Sequence, residues 1–149
     1  MAGELIWNNE LLIGIDEIDQ QHKDAVDSVN ALYNSIRDKK SKDEVIKLIV
    51  KLDFYVKRHF KIEENYMELY NYEKMNEHKK AHKFFKDTYR QIRCSYFYLN
   101  KQNVPKDNVV SIYALLLAQT LKDWLIFHLQ TYDKDFADFI LEKLNKKDE

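Results

Sequence analysis

From Ile15 onward the inward positions run Ile15, Ile18, His22, Val26, Val29, Leu32 or Tyr33, and Ile36, in steps of three and four that form one stripe of a helix. Ser41-Lys42-Asp43-Glu44 has the Ser-x-x-Glu form of a capping box and predicts the start of a second helix. Its stripe reads Val45, Leu48, Leu52, Val56, His59, Glu63, Tyr66, Tyr70. Asn71 is placed to cap a third helix, with inward positions Met75, His78, His82, Phe85, Tyr89, Ile92 and Tyr96. Asn100 to Asp107, with Asn103 and Pro105, is the one clear loop. Asp107 or Asn108 can open a fourth helix carrying Ile112 or Tyr113, Leu116 or Leu117, Thr120, Trp124 and His128.

Short connections after the first and second helices make those neighbours antiparallel. The expectation is an all-α protein, an up-down-up-down four-helix bundle over residues 16–133. An apolar N-terminal arm (residues 1–15) precedes it, and a short C-terminal helical tail around Asp135–Leu144 (within residues 134–149) follows, all in a single domain. Two Gly and one Pro in 149 residues leave too little turn punctuation for many short strands, which agrees.

Composition narrows the class. Apolar residues at 45% and charged residues at 33% are the mix of a globular protein, not of a disordered or membrane one. The formal net charge is −1 with the signs interleaved, which leaves no electrostatic footprint for nucleic acid and no basic face for a membrane surface. The lone Cys94 allows no internal disulfide, fits a reducing compartment, and reads as a small buried residue. The N-terminus lacks the basic stretch and apolar run of a secretory signal, so a cytoplasmic location is expected.

All five histidines fall on an inward stripe, and every helix contributes at least one. One histidine on such a stripe is ordinarily a core residue satisfied by a carbonyl. Five from four helices are different, because imidazoles buried together lose hydration and each needs partners for two ring nitrogens. A metal resolves this: one nitrogen binds the ion and the other N–H is held by a neighbouring acceptor. His59 and Glu63 are four apart and so point the same way. His78 and His82 repeat that geometry as an HxxxH on the next, antiparallel helix. His128 and Asp133 are five apart, roughly 140° on a regular helix. Either the helix ends there, or it carries a π-bulge, or the two reach different sides of a wide site. Five imidazoles and two carboxylates exceed one tetrahedral zinc, and oxygen-seeking calcium or magnesium do not suit them; two borderline ions bridged by carboxylates do.

These residues also carry a resemblance. Ile13-Gly14-Ile15-Asp16-Glu17-Ile18-Asp19-Gln20-Gln21-His22, His59-Phe60-Lys61-Ile62-Glu63-Glu64, His78-Lys79-Lys80-Ala81-His82, and His128 followed by Asp133 resemble the hemerythrins. The similarity runs from Trp7 to about Phe139, is greatest to the bacteriohemerythrins, and includes the spacing of five. It implies two iron ions with an oxo or hydroxo bridge. His78, His82 and His128 would bind one iron, His22 and His59 the other, with Glu63 and Asp133 bridging. The iron with two histidines would keep an open position, where the family binds O2 reversibly as hydroperoxide, for delivery, storage or sensing.

Ala25, Phe60, Trp124, Leu125 and Leu129 look like the family's apolar O2-pocket lining. Ala25 stands where the family often has a bulkier aliphatic, which predicts a wider pocket or an access channel. The competing class is a di-iron enzyme acting on O2, peroxide or NO. Di-iron oxidases on helical bundles supply Glu-x-x-His pairs; here no histidine has a Glu three residues before it, Asp19 before His22 being the nearest case. The sequence therefore favours a binding protein over an enzyme, with O2 as ligand and a monomer as the expected state.

Overall fold

The computed structural model describes residues 4–102 and 109–145, with the side chains of 109–111 left aside. Four long helices, α1 Asp16–Arg37, α2 Lys42–Leu69, α3 Met75–Lys101 and α4 Val109–His128, form an up-down-up-down bundle with no strand among the described residues. α1 packs on α2, α2 on α3, α3 on α4, and α4 closes the ring against α1. The expected loop at Asn103 and Pro105 and the start at Asp107 or Asn108 lie outside the described residues.

Local chemistry sets the helix ends. Ser41 and Glu44 form the predicted capping box at the start of α2. Asn71, expected to open α3, instead closes α2. It sits at φ 52°, and the amides of Asn71 and Tyr72 return to the carbonyls of Glu68 and Met67 in a Schellman arrangement. Asn suits both roles because its short polar side chain tolerates the left-handed conformation as well as capping. The α1 end is built the same way, with Lys39 at φ 53°.

The arm is tied to the bundle by polar pairings. Asn30 accepts from the Leu5 amide at 2.8 Å and donates to its carbonyl at 2.8 Å. Asp19 accepts from the amides of Ile13 and Gly14 at 2.8 and 3.0 Å. Gly14 is at φ 86°, a conformation that a side chain would strain.

The tail is not separate. α4 runs through a π-helical turn, Leu129–Asp133, directly into α5, Lys134–Asn145. The widened turn frees the Phe127 carbonyl for Thr131, whose hydroxyl donates to it at 2.6 Å.

Two apolar clusters divide the interior. One, around Val26, Leu32, Ile49, Leu52, Phe85 and Leu117, fills most of the bundle. The other, around Ile18, Met67, Tyr72, Phe136 and Ile140, closes the end carrying α5. Each helix passes from one cluster to the other through a polar position: His22 lies between Ile18 and Val26, and Glu63 between Phe60 and Met67. The stripes differ from expectation at their edges, where Ile49 and Met67 are fully buried while Leu48 and Tyr66 are only partly so. Cys94, expected to be buried, is exposed, because it lies off the stripe of Ile92 and Tyr96.

Candidate metal centre

The polar layer between the two clusters contains all seven residues expected from the sequence. His22, His59, Glu63, His78, His82, His128 and Asp133 are each buried, at most 4% exposed. They form two groups whose ligand atoms lie within 4.8 Å of one another, either of which could hold a metal ion. One is Glu63, His78, His82, His128 and Asp133; the other is His22, His59, Glu63 and Asp133, so both carboxylates are shared.

Three imidazole nitrogens converge on the first side: His78 Nε2 and His82 Nε2 lie 2.9 and 3.1 Å from His128 Nε2. Asp133 Oδ1 is 2.9 Å from His128 Nε2 and 3.1 Å from His78 Nε2, and Glu63 Oε2 is 3.1 Å from His82 Nε2. On the second side, Asp133 Oδ2 lies 3.0 Å from His22 Nε2, while Glu63 Oε2 also reaches His59 Nε2 at 3.5 Å.

These spacings match the coordination of a cation. Donors about 2.1 Å from one ion lie about 3.0 Å apart at right angles and about 3.4 Å apart at tetrahedral angles. The closest spacings on the three-histidine side, 2.9 to 3.1 Å, are of that size. Satisfaction of polar groups says the same. Eight buried atoms of His22, Glu63, His78, His128 and Asp133 have no hydrogen-bond partner. Each unsatisfied buried group costs about 1–3 kcal/mol, and a cation would engage five of the eight, His22 Nε2 and the four carboxylate oxygens, the others being Nδ1 atoms on the far side of their rings.

The protonation states of the imidazoles suit ligation. Burial pushes the His59 imidazole down to about 3, and lowers His82 and His128 as well, leaving them neutral with free lone pairs. Burial and the neighbouring Asp133 charge raise Glu63 well above the usual carboxylate range. Burial also opposes ionisation of Asp133, but the close approach of the His128, His22 and His78 rings outweighs it, and its carboxyl is held well below that range.

Three surrounding residues escaped the sequence reading. Gln21 Oε1 accepts from His59 Nδ1 at 2.9 Å, and Glu64 Oε1 lies 3.1 Å from His82 Nδ1. Tyr55 stacks beside His59 at 5.9 Å and donates its hydroxyl to the Gln21 carbonyl. Each directly precedes or follows a stripe position in sequence, the one signal that could have marked them.

A cavity of about 20 Å³ adjoins the centre, enough for about one water-sized molecule. Ala25, Phe60, Trp124 and Leu125 line it, beside His22 and His59 and none of the other three histidines. Leu129 does not. It is buried on the same helix face as Leu125, but four residues and about 6 Å further along the axis. Val29, Leu52 and Tyr55 line the cavity beside Ala25.

Helical bundle and buried histidine–carboxylate layer together define a cation-binding protein of the bundle class. The hemerythrin HHE cation binding domain matches residues 13–140, and the chain belongs to that family of non-haem iron, oxygen-binding proteins. It is 28% identical over 144 residues to a bacteriohemerythrin of Stenotrophomonas maltophilia, covering 95% of this chain and 85% of that one. A myohemerythrin of Theromyzon tessulatum is 24% identical over 127 residues, covering 85% and 86%. A crystal structure of a leucine-to-phenylalanine mutant has the same fold, with TM-score 0.72 at 24% identity, covering 90% of this chain and 95% of that one. Among the described residues no helix is long and apolar enough to cross a membrane.

Proposed function

We propose that the chain holds two iron ions and binds O2 reversibly at one of them. His78, His82 and His128 would hold one ion and His22 and His59 the other, with Glu63 and Asp133 shared. The observation that carries this reading is the position of the cavity: it opens onto His22 and His59, the side with fewer protein ligands. Counting donors, the three-histidine side offers three nitrogens and two carboxylates to the ion it would hold. The two-histidine side offers one donor fewer, which would leave its ion room for a ligand on the side of the cavity.

The irons would supply the electrons that a bound O2 takes up and returns on release. The protein's own residues do the rest. Phe60, Trp124 and Leu125 keep the cavity apolar, which excludes water and disfavours loss of a charged oxygen species. Gln21 and Tyr55 fix the His59 ring from its far side. No carboxylate lines the cavity, and the Tyr55 hydroxyl is committed to the Gln21 carbonyl. A site without a poised acid suits binding over cleavage of O2.

The test is to load the protein with ferrous ion without air, admit O2, then remove it. Release of O2 with recovery of the starting spectrum supports the reading. Irreversible oxidation with sustained turnover of peroxide or NO replaces it with an enzyme.

A further inference from the structure

Charges that nearly cancel over the whole chain are not spread evenly along it. α3 carries Lys79, Lys80, Lys83, Lys86, Arg90 and Arg93 at helical spacing, and they line an open groove of about 970 Å³ between α2 and α3. With Lys57 the groove holds seven cations against Asp53, Glu64 and Asp87, on a chain of net charge −1. Asp53 is already paired with Lys57 and Arg93, and Asp87 with Lys83. Lys80 and Arg90 enter no ion pair among the described residues.

The floor of this groove leads to the histidine layer by two short routes. Glu64 lines it and meets His82 Nδ1 at 3.1 Å. Tyr89 lines it too, and the rings of Tyr89, Phe85, Trp124 and His128 stack in series at 5.7, 4.0 and 4.2 Å. Lys86 also lies over the Phe60 ring, which stacks on His82 at 3.8 Å.

We propose that this groove is a docking surface for an acidic protein electron carrier, which reduces oxidised iron in the centre. Docking rests on the groove's charge, and the electron step rests on the iron-binding reading above. One electron passes from the reduced carrier to a ferric ion, which becomes ferrous, and no covalent bond forms or breaks. Charge complementarity selects the partner and sets its association rate. The aromatic column and the Glu64–His82 pair explain why the cations are gathered on this side of the bundle.

The probe is a strongly acidic [2Fe–2S] ferredoxin, with the triple variant Lys80→Glu/Lys83→Glu/Arg90→Glu and the remote control Lys47→Glu. Titration of ferredoxin into the iron-loaded protein, and separately into the metal-free protein, reads docking alone by calorimetry. Stopped-flow mixing of reduced ferredoxin with the oxidised iron protein reads electron transfer. The triple variant should weaken binding and slow reduction at least tenfold, with iron content and helicity unchanged, and Lys47→Glu should do neither. Equal binding and rates in wild type and triple variant overturn the proposal, as does a groove that binds inorganic phosphate but not ferredoxin. If no iron loads, the electron step falls with the proposed function, and the metal-free titration still decides the docking surface.

Discussion

Asp133 follows His128 by five residues, yet its Oδ1 lies 2.9 Å from His128 Nε2. A regular helix would turn these side chains roughly 140° apart. The π-helical turn Leu129–Asp133 closes hydrogen bonds five residues apart and so sets them on one face. It amounts to one residue inserted into an otherwise α-helical path. Deleting the exposed Gln130 should therefore restore an α-turn, keep Asp133 beside His128, and preserve the buried face of α5. Deleting Ile126, within regular α4, should rotate everything after it by about 100° and abolish metal binding. Metal content of the two variants decides; equal loss in both contradicts the assignment of the turn.

The acceptors behind His59 and His82 should matter nearly as much as the ligands. Gln21→Ala and Glu64→Ala each leave an imidazole N–H without its partner. Each should weaken metal binding by about 10–100-fold with the helical content unchanged, as measured by chelator competition. Affinity within twofold of wild type in both would show that packing alone orients the rings.

Ala25→Ile tests the cavity. The added carbons exceed the roughly 20 Å³ available, so oxygen should reach the centre more slowly. Overpacking should cost about 1–3 kcal/mol of stability. Metal content should stay at the wild-type level. Unchanged rates of oxygenation and of oxidation would separate the cavity from O2 access.

Acid should destabilise the metal-free protein before it reaches the ordinary carboxylates. Folding lowers the pKa of His59, His82 and His128, so their contribution is complete above the ordinary value of 6.5 and is lost as pH falls below it. For His59 that window extends down to about 3. Each such histidine contributes a slope of up to about 1.4 kcal/mol per pH unit. Glu63, raised by burial, acts in the opposite direction over part of the range, but one group opposes three. The urea midpoint should fall between pH 7.5 and pH 5; a constant or rising midpoint contradicts these buried neutral imidazoles.

What the sequence disclosed follows from how helices repeat. Residues at steps of three and four share a face, so the ligand positions His59 and Glu63, or His78 and His82, were visible without any contact information. The interval from His128 to Asp133 was legible only as an anomaly, since nothing local distinguishes a π-turn from a helix end. Asn71 reads as a helix opener yet closes α2, because its chemistry serves both ends of a helix. The stripe points to Tyr66 and Leu48 one residue from the truly buried Met67 and Ile49, because periodicity finds the centre of a stripe better than its edges. Adjacency to His128 groups Leu129 with the cavity, but says nothing of height along the axis. The basic groove was legible as six cations between Lys79 and Arg93 with only Asp87 among them, but a net charge taken over the whole chain averages that run away.

The proposed function requires a pair of irons divided three histidines to two. Crystals of the aerobically purified protein, measured on both sides of the iron absorption edge, address it directly. Two anomalous peaks per chain are expected, one among His78, His82 and His128 and one between His22 and His59, both beside Glu63 and Asp133. A single peak, or a signal at the zinc edge in its place, would contradict it.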